Sequence, residues 1–328
     1  MSKLSLVFGG CDYWDRTRPL MDGTVQPEGV DLKYTVIPPG DLGRHVIAGN
    51  KFEAAEIYAC SYIMMRSSGD DRFVGLPIFP SRSFRHGYIF VRTDADIEHP
   101  QQLAGKRIGV GQYAITATMW VRALLQHDYG VPPSAVHWFE GGMWVPDDFT
   151  GHATAELPPD IRVSQAGERT LEDMILEGDL DALISPYRPR VLVAGDRRLR
   201  RLFRNYRELE RDYFRRTGFF PIMHLVAIRR EIYERHRWLA TSLVQAFEQA
   251  KRVSRARLQD TSGLVVGLPW LVSELEEVDE LFRGDAFPYG FEANLPILHA
   301  MLQYMVEQGM LKRKLDPHEL FAPETLAS

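Results

Sequence analysis

Two histidines and a group of arginines carry most of the chemistry open to this sequence. His224 lies in the apolar run Phe219-Phe-Pro-Ile-Met-His-Leu-Val226, and His86 closes Ser81-Arg-Ser-Phe-Arg-His86. An imidazole titrates near neutrality and can pass a proton to a bound molecule, so both are candidate acids. Strand alternation puts His224 on one face with Ile222 and Val226, which is also the setting of a hydrogen-bonded core histidine. His86 shares its face with Phe84 and Tyr88, a more pocket-like set. Arginines flank these positions: Arg16 and Arg18 in the loop Cys11–Arg18, Arg82 and Arg85 beside His86, and Arg188 with Arg190 in Ser185-Pro-Tyr-Arg-Pro-Arg190. Each offers a planar pair of donors that fits a carboxylate. The competing reading for each is a solvated charged loop.

A third region is the junction Gly109-Val-Gly-Gln-Tyr-Ala-Ile-Thr-Ala-Thr118, where a strand turns into a helix. The free N–H groups and dipole of a helix start favour an anion, and Tyr113, Thr116 and Thr118 add side-chain hydroxyls there. The glycines also match a dinucleotide fingerprint loosely, but the next acidic residue, Glu140, comes too late for the ribose contact. Anion binding is the better reading. Paired-histidine metal motifs, Cys-x-x-Cys, the nucleophile elbow and the P-loop are all missing, and the ten histidines show no metal-ligand spacing. No metal ligand is assigned.

The elements that must position these residues alternate. Leu4–Gly9, Asp31–Ile37, Glu53–Cys60 and Tyr88–Arg92 read as strands, with a short helix after Asp41 closed by Gly49. A second set follows: a strand ending at Gly111, a helix over 116–127, strands at 136–139 and 181–184, and a helix over 171–177 closed by Gly178. Arg197–Tyr206 reads as a basic helical stretch, Ile222–Arg229 as a strand, and the last third as mostly helical. Such alternation implies an α/β protein with mainly parallel sheets and flanking helices. The segments Tyr88–Asp94 and Leu225–Glu231 resemble each other, each an apolar strand running into Arg with a His just upstream. They read as crossovers between two lobes. Lobe I would hold residues 1–92 and 222–328, lobe II residues 93–221, with a ligand cleft between them.

Composition sets outer limits. The 328 residues are 45% hydrophobic and 25% charged, a globular profile long enough for two cores. With 39 basic and 44 acidic residues the formal charge is 39 − 44 = −5, which argues against a nucleic-acid partner. No apolar run approaches a membrane span. Two cysteines, Cys11 and Cys60, fit a reducing compartment. The N-terminal run turns polar too soon for a secretory signal, so a cytoplasmic location is expected. The helical last third offers a surface for a homo-oligomer.

Longer motifs add to this. Arg107-Ile-Gly-Val-Gly-Gln-Tyr-Ala-Ile-Thr-Ala-Thr-Met-Trp-Val-Arg122, Phe220-Pro-Ile-Met-His224, Gly284–Asn294 and the terminal Glu-Leu-Phe-Ala-Pro-Glu324 resemble the 4,5-dihydroxyphthalate decarboxylase family, over nearly the whole chain. The resemblance implies a two-lobed fold like that of type II periplasmic binding proteins. It also implies a carbon–carbon lyase that releases CO2 from a dihydroxylated aromatic dicarboxylate, giving protocatechuate or a close analogue. Direct loss of CO2 would leave an aryl anion, so protonation of the ring carbon should come first. That scheme needs an acid, for which His224 is first choice and His86 second, and arginines to hold the carboxylate that stays. It requires no organic cofactor. Two alternatives remain: a solute-binding protein for a small aromatic or carboxylate anion, and a metal-dependent decarboxylase in which the two ring hydroxyls chelate the ion.

Overall fold

The computed structural model describes residues 3–49, 51–146 and 155–328. Among the described residues, eleven strands form two mixed sheets with helices packed against them. They are β1 (Leu4–Gly10), β2 (Val30–Val36), β3 (Ala54–Tyr58), β4 (Phe73–Arg82), β5 (Ile89–Arg92), β6 (Arg107–Val110), β7 (His137–Glu140), β8 (Arg162–Gln165), β9 (Ala182–Ile184), β10 (Leu199–Arg201) and β11 (Ile222–Arg229). The first sheet has the order β2-β1-β3-β11-β4 and the second β10-β5-β9-β6-β7-β8. In each sheet a single strand runs against the rest. It is β11 in the first, antiparallel to β3 and β4, and β5 in the second, antiparallel to β9 and β10. These are the two segments that looked alike in sequence, and they lie in separate sheets.

The chain divides into two compact units, one of residues 1–82, 222–299 and 313–328, the other of 83–221 and 300–312. The first boundary falls ten residues earlier than the sequence suggested. The C-terminal third is not confined to one unit, because helix Leu295–Glu307 begins in the first and ends in the second.

In the first unit, helix Trp238–Gln259 repeats apolar residues at Leu239, Leu243, Ala246, Phe247 and Ala250, a spacing that lays them on one face. That face shares a core with Leu6 and Phe8 of β1 and Leu76 and Ile78 of β4. In the second unit, helix Leu171–Glu177 is capped by Thr170, whose hydroxyl accepts from Asp173 N–H, and closed by Gly178 at φ 87°. Its Leu171, Met174 and Ile175 pack with Phe90 and Leu183. Among the described residues no helix is long and apolar enough to cross a membrane.

Three elements depart from the sequence reading. The helix expected after Asp41 is a single π turn over Gly43–Ile47. The stretch 197–206 is not helical; it forms edge strand β10, and the helix starts only at Tyr206. Pairing of Leu199–Arg201 with Arg92–Phe90 overrides its local helical preference. Strand β4 was not foreseen, and it carries the candidate residue Arg82.

Candidate active site

The first unit gathers its polar groups at the C-terminal ends of β1, β3 and β4. Strand β1 ends in Gly9-Gly10, where space is short: a Cβ on Gly10 would lie 2.7 Å from the Tyr34 hydroxyl. That hydroxyl donates to the Cys11 carbonyl at 2.7 Å, which fixes the loop leaving the strand. The loop turns back on itself, with Tyr13 N–H donating to Thr17 Oγ1 and Thr17 N–H to the Tyr13 carbonyl. The Tyr13 hydroxyl is thereby aimed at Glu56.

Glu56 stands in the apolar strand Ala-Ala-Glu-Ile-Tyr and is 1% exposed. A carboxylate there needs several donors to offset its lost hydration. It has them. Oε1 accepts from the Tyr13 hydroxyl at 2.6 Å and from His224 Nδ1 at 2.5 Å, and Oε2 accepts from Cys11 N–H at 2.9 Å. Burial pushes the Glu56 carboxyl up, but His224, Tyr13 and the Cys11 amide outweigh it and hold the group below its ordinary value. Burial and then the Glu56 charge drive both the Tyr13 hydroxyl and the Cys11 thiol far up, so both stay protonated.

His224 is the third residue of β11, and its side chain is 11% exposed. Simple alternation would put it with Ile222 and Val226 in the core. The β11–β4 pairing shifts register on both sides of it, between Ile222 and His224 and again between His224 and Val226. The β11–β3 pairing is regular, with His224 opposite Tyr58 and Val226 opposite Glu56, so alternation itself puts His224 on the sheet face that carries Glu56. With Nδ1 donating to Glu56, the neutral ring keeps its lone pair on Nε2, which makes no hydrogen bond among the described residues. The arrangement is a carboxylate-oriented imidazole with one nitrogen left to exchange protons.

Beside it, Arg16 is 8% exposed and lies between two rings, 4.3 Å from the centroid of Tyr13 and 4.0 Å from that of Phe287. Its Nε donates to the Pro80 carbonyl and Nη1 to both oxygens of Asp15, leaving Nη2 as the donor without a partner among the described residues. Arg82 is buried too; it donates to Asn294 Oδ1 and the Pro288 carbonyl, and burial lowers its guanidinium to about 9. Arg18 faces solvent and pairs with Asp12.

The remaining expected residues are in the second unit. His86 is 3% exposed, stacked edge-on against Phe203 and Tyr213, and burial lowers it to about 4. Arg85 is buried over the Tyr88 ring, and Glu210 accepts from Gly87 N–H beside it. Tyr113 is buried in contact with Arg122, which stacks 3.5 Å from its ring centroid, and its hydroxyl reaches the Gln308 carbonyl. Thr116 and Thr118 are buried in the first turn of helix Thr116–Tyr129. Arg188 and Arg190 are exposed, the latter over the Trp144 ring. The sequence reading missed Glu56 and Tyr13, and it noted Cys11 only for its redox implication. One sign was present: an acidic residue inside an apolar strand demands a buried partner.

Cys11, Glu56 and His224 also offer ligand atoms that all lie within 4.8 Å of one another. A thiolate, a carboxylate and an imidazole would suit Zn2+ with a position left open. Taken together, the site can orient a proton donor, and it can hold a carboxylate beside it through Arg16.

Comparison with known proteins places this architecture. Solved structures with the same fold include the periplasmic aliphatic sulphonate binding protein SsuA from Escherichia coli, at a TM-score of 0.56 and 12% identity over 98% of this chain and 92% of that one. They also include the desulfurization enzyme DSZB, at a TM-score of 0.54 and 16% identity over 99% and 98%. No family model matches the chain. The fold is therefore that of the periplasmic binding proteins, a class that also contains an enzyme. The 4,5-dihydroxyphthalate decarboxylase of Comamonas testosteroni is 35% identical over 329 aligned positions, covering 100% of this chain and 99% of the relative. That of Pseudomonas putida is 35% identical over 223, covering 67% and 84%. The chain belongs to the 4,5-dihydroxyphthalate decarboxylase family and is a carboxy-lyase.

Proposed function

We propose that this chain decarboxylates 4,5-dihydroxyphthalate, or a closely similar dihydroxylated aromatic dicarboxylate, by protonating the ring before CO2 leaves. The observation that carries the reading is the Glu56–His224 pair, with its free Nε2 in a nearly dry setting. A carboxylate para to a ring hydroxyl is attached to a carbon that the hydroxyl makes electron-rich. His224, as imidazolium, gives its Nε2 proton to that carbon while the para hydroxyl takes up the positive charge. The C–C bond then breaks, its electron pair returns to the ring, and CO2 departs. The balance is one carboxylate and one proton consumed for one C–H bond and one CO2, so His224 recharges from solvent each turn. Glu56 stays ionised throughout; it fixes the tautomer and offsets the charge of the imidazolium. Arg16 holds the carboxylate that remains, through the Nη2 donor its own contacts leave open. Loss of one carboxylate from 4,5-dihydroxyphthalate gives protocatechuate.

The test is turnover. Purified protein given 4,5-dihydroxyphthalate should release one CO2 per protocatechuate formed. Binding of the dicarboxylate with no CO2 would move the chain to the solute-binding reading.

A second reading has its own observation, the proximity of Cys11, Glu56 and His224. There the three side chains would hold Zn2+, which would supply a Lewis acid for the two ring hydroxyls. Metal analysis of the active protein, and turnover after chelation, separate the two schemes.

A further inference from the structure

Two surface features take no part in the chemistry proposed above. The first is on the second unit, where adjoining grooves of about 530 and 520 Å³ run beside edge strand β10 and share Thr93, Asp196 and Arg197. Leu176, Leu192 and Leu199 give them an apolar lining. Around that lining stand Arg92, Arg197, Arg198, Arg200, Arg201 and Arg204, against two acidic lining residues, Asp94 and Asp196, so the lining carries 6 − 2 = +4. Within that sum Arg92 pairs with Asp94 and Arg198 with Asp196, and Glu98, outside the lining, pairs with Arg200 and Arg204. Arg197, common to both grooves, accepts from the Thr93 hydroxyl through its backbone carbonyl, while its exposed guanidinium has no partner among the described residues.

The second feature is on the first unit. Five large apolar side chains are exposed within nine residues: Leu264 at 49%, Val265 at 40%, Leu268 at 55%, Trp270 at 73% and Val272 at 40%. An exposed apolar cluster of this density marks a contact surface, and a bare Trp is the side chain most often found to anchor one. Helix Leu271–Phe282 follows directly, with Glu276, Glu277 and Glu280 exposed along it. Apolar anchor and acidic helix thus adjoin, as apolar lining and arginine rim do in the groove.

We propose that Trp270 and the acidic helix of one copy dock into the arginine-rimmed groove of a second copy of this chain. Trp270 would fill the apolar lining and stack under a guanidinium, while Glu276 and Glu280 reach the rim. Nucleic acid would satisfy the arginines but not Trp270, and a chain of net charge −5 is a poor polyanion binder. Because the two surfaces differ, the contact is head-to-tail, and it propagates until a ring closes or a filament grows.

Sedimentation velocity on the full chain tests this. The unsubstituted protein should sediment as an assembly of more than one copy and dissociate as salt rises. Trp270→Ala, and separately Arg197→Glu with Arg204→Glu, should weaken assembly by about 30-fold or more, with circular dichroism and melting unchanged. Each variant keeps one intact half of the contact. An equimolar mixture of the two should therefore form a one-to-one complex and nothing larger. If the double arginine variant does not fold, Glu276→Lys with Glu280→Lys replaces it in the assembly assay alone and is expected to weaken assembly similarly; the mixture is then made with Arg197→Glu as the single groove variant. The proposal is overturned by an unsubstituted protein that stays monomeric across the dilution series. It is equally overturned by assembly that survives the folded variants, or by folded monomeric variants that fail to complement in the mixture.

Discussion

His224 Nδ1 lies 2.5 Å from Glu56 Oε1, although 168 positions separate the two residues in the chain. Antiparallel pairing of β11 with β3 sets His224 opposite Tyr58 and Val226 opposite Glu56, so the imidazole and the carboxylate are diagonal neighbours on one face of the sheet. Replacing Glu56 by Gln tests what this contact does. An amide has one acceptor oxygen where the carboxylate has two, yet three donors converge on it. At least one donor must then face an NH2, and the ring is released to the tautomer with Nδ1 unprotonated. Turnover should fall by about 10²–10⁴-fold. Imidazole nitrogen shifts in the NMR spectrum should report the change of tautomer, which a merely structural role for Glu56 would not produce.

His224→Gln removes the proposed acid and keeps a side chain able to donate to Glu56. Turnover should drop by about 10²–10⁴-fold, with little change in melting temperature or substrate affinity. A variant with full turnover rules out the acid role. One that unfolds instead makes His224 a core residue.

How much of this was readable beforehand differs from element to element. Strand β11 and helix Thr116–Tyr129 follow directly from apolar periodicity and a closing glycine. Strand β4 was hidden by Pro77 and Pro80, which argue against a strand anywhere but at an edge, and an edge is where the sheet order puts it. Of the site, His224 and Arg16 could be picked by residue type. Glu56 and Tyr13 could not be joined to them, because their meeting depends on strand order and on the register in which β11 pairs with β3. Neither is written in any single stretch of sequence.

Arg16→Met should leave the substrate's retained carboxylate without its donor, while the shape of the stack between Tyr13 and Phe287 is kept. The expected loss is roughly 2–5 kcal/mol, seen mainly as a raised KM. Arg16→Lys should recover little of it, since an ammonium cannot offer the planar fork. Unchanged KM in both variants would remove Arg16 from the site.

His86 and Glu210 should make stability depend on pH in opposite senses. Burial lowers His86 from 6.5 to about 4, so between those values the folded chain holds fewer protons than the unfolded one. Its contribution therefore rises with pH across that window and is lost as pH falls through it. Burial raises Glu210 from 4.5 to about 7, against the pull of the Gly87 amide and of Arg85 and Arg201. The folded chain then holds more protons, so this contribution is present below 4.5 and is lost as pH rises toward 7. Each difference is about 2.5 pH units, an upper figure of about 3 kcal/mol, and the two nearly cancel in the unsubstituted protein. Substitution uncovers them. In His86→Phe only Glu210 remains, and denaturant midpoints should fall from pH 4.5 to 7. In Glu210→Gln only His86 remains, and they should rise from pH 4 to 6.5. Parallel curves for both variants would mean that neither group titrates in this range on unfolding.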